Sequence, residues 1–230
     1  MQEPFHVKRQ SRRKTVQMYW KDGRHAEFYV TGGLCWPVLV DGGIGAFPVL
    51  GAAVVIGMDT ESRKFNVLTE HEFPSIEGVV THDECGRVTV FPGLSGWMLT
   101  AVTKWGCRSF YHRQEPETSF RYAVEVGRLD AFKALRPGFP ELHWDSDNAV
   151  DAMTWEIIGS GKVKIGRDTA LGKAMRDAEI SRTDSSAQAD KRFNQIRYPV
   201  IHAFRCALYA QILYPWSLDG VAFEVYGDAK

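Results

Sequence analysis

The sequence predicts an α+β fold, with an antiparallel, hairpin-rich β N-terminal half followed by a predominantly helical C-terminal half. Three observations predict it. Short β-rich runs separated by turn residues fill the chain to residue 91, and the hydrophobic period changes from two to three or four just after Gly93. No segment between the early strands is long and unbroken enough to be a crossover helix, so neighbouring strands pair as hairpins. A chain of 230 residues with 44% hydrophobic residues can bury a substantial core. The reading divides it into a basic arm at 1–14, a β-rich domain with packed helices at 15–135 and a helical domain at 141–230. The break Arg136-Pro137-Gly138-Phe139-Pro140 lies between the last two.

Residues 1–14 hold Lys8, Arg9, Arg12, Arg13 and Lys14, too charged to bury and too short to fold alone, and are expected to be a solvated arm. Residues 16–20 and 25–30 form the first hairpin, with Asp22-Gly23 supplying the positive φ of a tight turn. Residues 54–58 and 65–70 form the second across a polar turn. Residues 79–80 and 88–91 form the third. Leu94, Trp97, Met98, Ala101, Val102 and Trp105 then fall on one face of a helix that packs on the sheet. Residues 119–126 alternate like a strand but follow the helix opening Pro116-Glu117, and a helix through Leu135 is expected.

In the second half Asp147 caps a helix whose Val150, Met153, Thr154, Ile157 and Ile158 point inward, ended by Gly159 and Gly161. Asp168 caps the next, with Leu171, Ala174, Met175 and Ala178 inward. A polar loop at 181–190 precedes a last helix opening near Pro199, which buries Val200, Ala203, Phe204, Ala207, Leu208 and Ile212. Residues 221–226 suit a returning strand.

Several function classes are excluded or disfavoured. No run approaches the roughly 18 to 20 apolar residues that span a bilayer, and the basic N-terminus has no apolar run behind it, so neither spanning nor export is expected. Cys35, Cys85, Cys107 and Cys206 are scattered without a CxxC pair, which suits a reducing cytoplasm better than a disulfide framework or a zinc site. Residues 38–45 followed by 54–59 imitate a nucleotide or S-adenosylmethionine site. Only eight residues, including Pro48 and Gly51, separate the glycine turn from the next strand, so a glycine-rich turn among antiparallel strands is expected instead. Gly159-Ser160-Gly161-Lys162 lacks the first glycine and the Ser/Thr of a phosphate loop, having Glu156 and Val163 there, and reads as a helix C-cap. Cys107 beside Arg108 is a candidate for a lowered thiol pKa but has no paired base.

The acid and histidine clusters give a metal-dependent hydrolase or nuclease as an alternative function. Glu70 and Glu72 face away from His71 in a strand, and His82-Asp83-Glu84 lies at a turn. His143, Asp145 and Asp147, in a loop before a helix, are the better set. No motif demands a catalytic residue, metal or cofactor, and a non-enzymatic protein is expected.

Net charge is zero, yet the distribution is uneven. Residues 1–24 carry seven Lys/Arg against two Asp/Glu, residues 25–149 ten against sixteen, and residues 150–215 ten against seven. Three basic segments recur: the arm; Lys104 with Arg108, Tyr111, His112 and Arg113, where cations alternate with aromatics as in phosphate-and-base contacts; and Lys162, Lys164, Arg167, Lys173 and Arg176. The last set flanks two helices that outline a helix-turn-helix, although the turn of about eight residues exceeds the usual three or four. The expected function is therefore nucleic-acid binding, to DNA or RNA, as one subunit of a larger protein–nucleic-acid assembly of the mobile-element, phage or antiviral type, CRISPR-like effectors included. Seven tryptophans and thirteen phenylalanines point to protein subunits as further partners. A protein-interaction module without nucleic acid is the third expectation.

Overall fold

The computed structural model describes residues 2–10, 15–36, 39–41, 46–48, 51–73, 79–82, 88–91, 94–113, 139–144, 147–183 and 198–213. In chain order they form β1 (His6–Gln10), β2 (Thr15–Tyr19), β3 (His25–Cys35), β4 (Leu39–Asp41), β5 (Ala46–Pro48), β6 (Gly51–Asp59), β7 (Phe65–Phe73), β8 (Val79–His82) and β9 (Val88–Phe91). Then follow α1 (Leu94–Trp105), β10 (Phe110–Arg113), β11 (Glu141–Leu142), α2 (Asp147–Gly159), β12 (Val163–Lys164), α3 (Ala170–Thr183) and α4 (Pro199–Leu213). The helix expected through Leu135, residues 136–138 of the break and the strand expected at 221–226 lie outside the described residues.

All three expected hairpins are present, as the antiparallel pairs β2–β3, β6–β7 and β8–β9. The glycine segment is one more, β4 against β5, so no nucleotide-type crossover exists there. The main sheet nevertheless departs from a purely antiparallel one. Its path runs β1-β2-β3-β6-β7-β12, and β10 lies beside the C-terminal part of β3 with β11 beyond it. The pairs β3–β10, β10–β11 and β7–β12 are parallel. Helices α1 and α2 precede β10 and β12 and carry the chain back to the same end of the sheet, which hairpin turns cannot do.

The arm is the second departure. Residues His6–Gln10 are an edge strand paired with β2 from His6↔Tyr19 to Gln10↔Thr15. Val7 packs on the core beside α1, and this one apolar anchor with the backbone ladder holds a strand otherwise made of polar groups. Charged side chains on such an edge also discourage pairing with another chain.

Helices cover both faces of the sheet. On one side Leu94, Trp97, Met98, Ala101, Val102 and Trp105 of α1, all buried as their spacing predicts, pack against Met18, Phe28, Leu34, Val55, Leu68 and Phe73. On the other, Ile157 of α2, Leu171 and Met175 of α3 and the apolar residues of α4 pack on Val54, Ile56, Met58 and Phe65. Strand β6 is therefore buried on both faces, and its sequence is a continuous apolar run instead of an alternation. Helix α4 lies so close to β3 that a Cβ on Gly33 would stand 2.6 Å from the Ala207 backbone nitrogen and closer still to the Ala203 carbonyl.

The helix ends are built by local hydrogen bonds. Gly161, at φ 69°, donates its N–H to the Ile158 carbonyl at 3.0 Å and ends α2 as the C-cap the sequence suggests. The N-cap of α3 is Thr169, whose Oγ1 accepts the Gly172 N–H at 3.1 Å, and not Asp168. Helix α3 runs to Thr183, into the expected loop. Among the described residues no helix is long and apolar enough to cross a membrane.

Candidate nucleic-acid interface

The turn of the first hairpin and the turn between β6 and β7 lie at the same end of the sheet, because β3 and β6 pair from Phe28↔Asp59 onward. Between them opens a cleft of about 640 Å³ lined by Gln2, Trp20, Arg24, His25, Ala26, Phe28, Asp59, Ser62, Lys64, Asn66 and Lys164. Strand β12 brings Lys164 there by pairing it with Asn66 on β7. Three cations thus face one carboxylate. That carboxylate is turned into its own loop, since Asp59 Oδ1 accepts the backbone N–H of Glu61 at 3.0 Å and of Ser62 at 2.7 Å. Arg24 is paired with Asp22 at 2.7 Å and stands 5.8 Å from the Trp20 ring centroid. Among the described residues neither Lys64 nor Lys164 has a carboxylate partner.

Beside the cleft the open face of β1, β2 and β3 carries a row of rings in cross-strand register, His6↔Tyr19↔His25. Ring centroids are 5.6 Å apart for His6–Tyr19 and 6.1 Å for Tyr19–His25, and Phe5 extends the row at 6.4 Å from His6. Lys8 and Gln10 share this face with His6 by strand alternation. Glu27, the acid on the same face of β3, accepts a hydrogen bond from the Thr15 hydroxyl. Cross-strand ring pairs stabilise a sheet by up to about 1 kcal/mol each, so the row has a structural role whatever else it does.

The three basic segments are not brought to one face. On β1, Lys8 points to the ring face, whereas Arg9 points to the α1 side. Partial burial, and then the neighbouring charge of Arg108, hold the Arg9 guanidinium below its usual range. Lys104 joins that group but is paired with Glu3 at 2.8 Å. Lys162, Lys164, Arg167, Lys173 and Arg176 are exposed around β12 and α3, at the opposite edge. Five strand spacings, roughly 24 Å, separate β1 from β12. Arg12, Arg13 and Lys14 lie outside the described residues.

The cation–aromatic segment is corrected in its aromatics. Trp105, Phe110 and His112 are core residues, and Tyr111 is half-buried against Leu142 and Trp144, so none offers an open stacking face. His112 Nδ1–H donates to the Arg113 carbonyl at 3.1 Å, and burial lowers its pKa, so it is a packing group. Cys107 is a buried structural residue, and burial pushes its thiol up to about 12, the reverse of activation. The helix-turn-helix outline fails because the connection from α2 to α3 contains β12 on the sheet edge, which fixes the two helices to the sheet and not to each other.

A second polar group is internal and was missed in the sequence. Arg205 of α4 pairs with Asp151 of α2 at 2.8 Å, with both side chains largely buried. The Arg205 and Arg113 guanidinium carbons stand 5.7 and 5.2 Å from the Trp144 ring centroid, with His202 and Tyr209 also around that ring. The available signal was a charge and an imidazole three residues apart inside an apolar helix. Closed in by packing, this cluster ties α2 to α4.

The alternative metal reading finds no support among the described residues, where no group of three His, Cys, Asp or Glu could hold an ion. Asp145 lies outside them, and His143 is exposed. The described tryptophans are buried or half-buried, whereas Phe5 is exposed. No family model, curated protein or solved structure matches this chain.

Proposed function

We propose that the protein binds nucleic acid across the turn end of its sheet, as a non-enzymatic subunit of a larger protein–nucleic-acid assembly. One observation carries this reading: the cleft sets Lys64 and Lys164, without carboxylate partners among the described residues, beside Arg24 and Trp20, while its single carboxylate is occupied by its own turn. Cations lining a concave surface attract a phosphate backbone by displacing its condensed counterions, and neutrality of the whole chain does not oppose this once the acids lie elsewhere. Of the residues singled out in the sequence, Lys164 lines the cleft, and Lys8 lies beside the row of rings on the other face of the sheet. Those on α3 and beside α1 flank the cleft at a distance.

Fluorescence anisotropy with a labelled oligonucleotide, titrated between 50 and 200 mM salt, tests the reading. Affinity should fall linearly in log–log form with salt. The Lys64→Glu/Lys164→Glu variant should bind at least about tenfold more weakly and with a slope smaller by about one to two. Binding that ignores salt, or a variant indistinguishable from wild type, overturns it. A Lys173→Glu/Arg176→Glu variant should retain most of the affinity, and an equal loss there would move the contact to α3.

A further inference from the structure

Resting on the nucleic-acid reading, we infer that the preferred ligand is single-stranded, its bases stacking on the row Phe5, His6, Tyr19 and His25 while its phosphates follow Lys8 and the cleft lysines. The row and the cleft meet at the turn end of the sheet: the row stands on the α3/α4 face, the cleft residues Ala26, Phe28, Asp59 and Asn66 on the α1 face, and His25 borders both. A flexible strand leaving the rings turns round this end at His25 to reach Arg24, Lys64 and Lys164. Phe5 is 61% exposed, His6, His25 and Lys8 are exposed, and Tyr19 between them is half-buried. The helices on this side of the sheet, α3 and α4, pack on β3, β6 and β7 and leave the β1–β2 end open among the described residues.

The geometry suits bases better than a duplex. A row across three adjacent strands spans roughly 10 Å, the reach of two or three splayed nucleotides, and separations of 5.6 to 6.4 Å leave ring faces and edges for unpaired bases to meet. A duplex hides those base faces in its own stack and would present only phosphates. Among the acids around the surface, Glu3 is engaged by Lys104, Asp22 by Arg24, Glu27 by Thr15 and Asp59 by its own turn, so Lys8, Lys64 and Lys164 remain to meet phosphate.

The experiment compares a labelled single-stranded 12-mer with the duplex of the same sequence, on wild type, Tyr19→Thr, Tyr19→Phe, Phe5→Ala and Lys64→Glu/Lys164→Glu, each checked to be folded at the assay temperature by a cooperative thermal transition above it. Wild type should prefer the single strand. Tyr19→Thr and Phe5→Ala should lose roughly five- to a hundredfold in single-strand affinity with an unchanged salt slope and unchanged duplex binding, and Tyr19→Phe should keep the preference. If the ring variants bind both forms like wild type, or lose both equally, while the lysine variant still weakens binding, stacking is refuted and the nucleic-acid reading stands. If neither oligonucleotide binds in a salt-dependent way, both fall together.

Discussion

At Gly33 the absence of one methyl group decides how two layers meet. A Cβ there would strike the backbone of α4 at Ala203 and Ala207, and backbone cannot swing aside as the end of a side chain can. Gly33→Ala should therefore cost about 2 to 3 kcal/mol or more, read as a lowered urea midpoint with an unchanged slope. Gly23→Ala is a useful comparison, because nothing lies near its Cβ and only its φ of 84° resists substitution. The periodicity of single residues was legible in the sequence wherever one face of an element is buried. All six stripe residues of α1 are core. What the pattern hid was orientation within the charged segments: Arg9 and Lys8 are adjacent in sequence and point to opposite sides of β1, and His112 is inside. A cation–aromatic run reads the same whether its rings face solvent or core, and only the strand's place in the sheet tells them apart.

Elements were legible in proportion to how local their contacts are. Hairpins β2–β3, β6–β7 and β8–β9 and helices α1 to α4 follow from turn residues and apolar spacing, whereas β1, β10, β11 and β12 are short strands whose pairing is set by neighbours distant in sequence. The candidate cleft was illegible for the same reason, since it gathers Gln2, Arg24, Lys64 and Lys164 from four separate places. Helix α4 shows the limit of a stripe: it is buried nearly all round, so His202, Arg205 and Gln211 go inside with their apolar neighbours and must be met there. Gln211 accepts the Thr31 hydroxyl from β3, and Arg205 takes Asp151 from α2. Removing one member of a buried pair leaves the other charge stranded, so Asp151→Ala should cost about 3 to 5 kcal/mol in urea unfolding. Replacing both, as Asp151→Leu/Arg205→Met, should recover much of that loss, and a double variant as unstable as the single would show that the loss belongs to the pair itself and not to a stranded charge.

The molecule as a whole is held by helices from late in the chain packed on strands from early in it, and titrating groups sit at two of the joins. At β10, which links β3 to β11, burial holds the His112 pKa below its ordinary value, against the opposing Arg113 carbonyl and Glu141 charge. The unfolded chain then binds the proton that the folded one refuses. Stability from this source is complete above the unfolded pKa of about 6.5 and is lost as pH falls toward the folded one, with a slope no steeper than about 1.4 kcal/mol per pH unit. At the start of α3, Glu70 acts the other way. Burial raises its pKa although the Leu171 N–H, 3.3 Å from each carboxylate oxygen, favours the charge, so its contribution is present below the unfolded value of about 4.3 and is lost as pH rises above it. Urea midpoints measured from pH 7.5 to 5.5 should therefore decline for wild type and decline less for His112→Phe, which keeps a ring against Trp36 but cannot titrate. Equal slopes for wild type and His112→Phe would mean that the imidazole titrates as it does in water, and that the join at β10 opens readily enough to hydrate it.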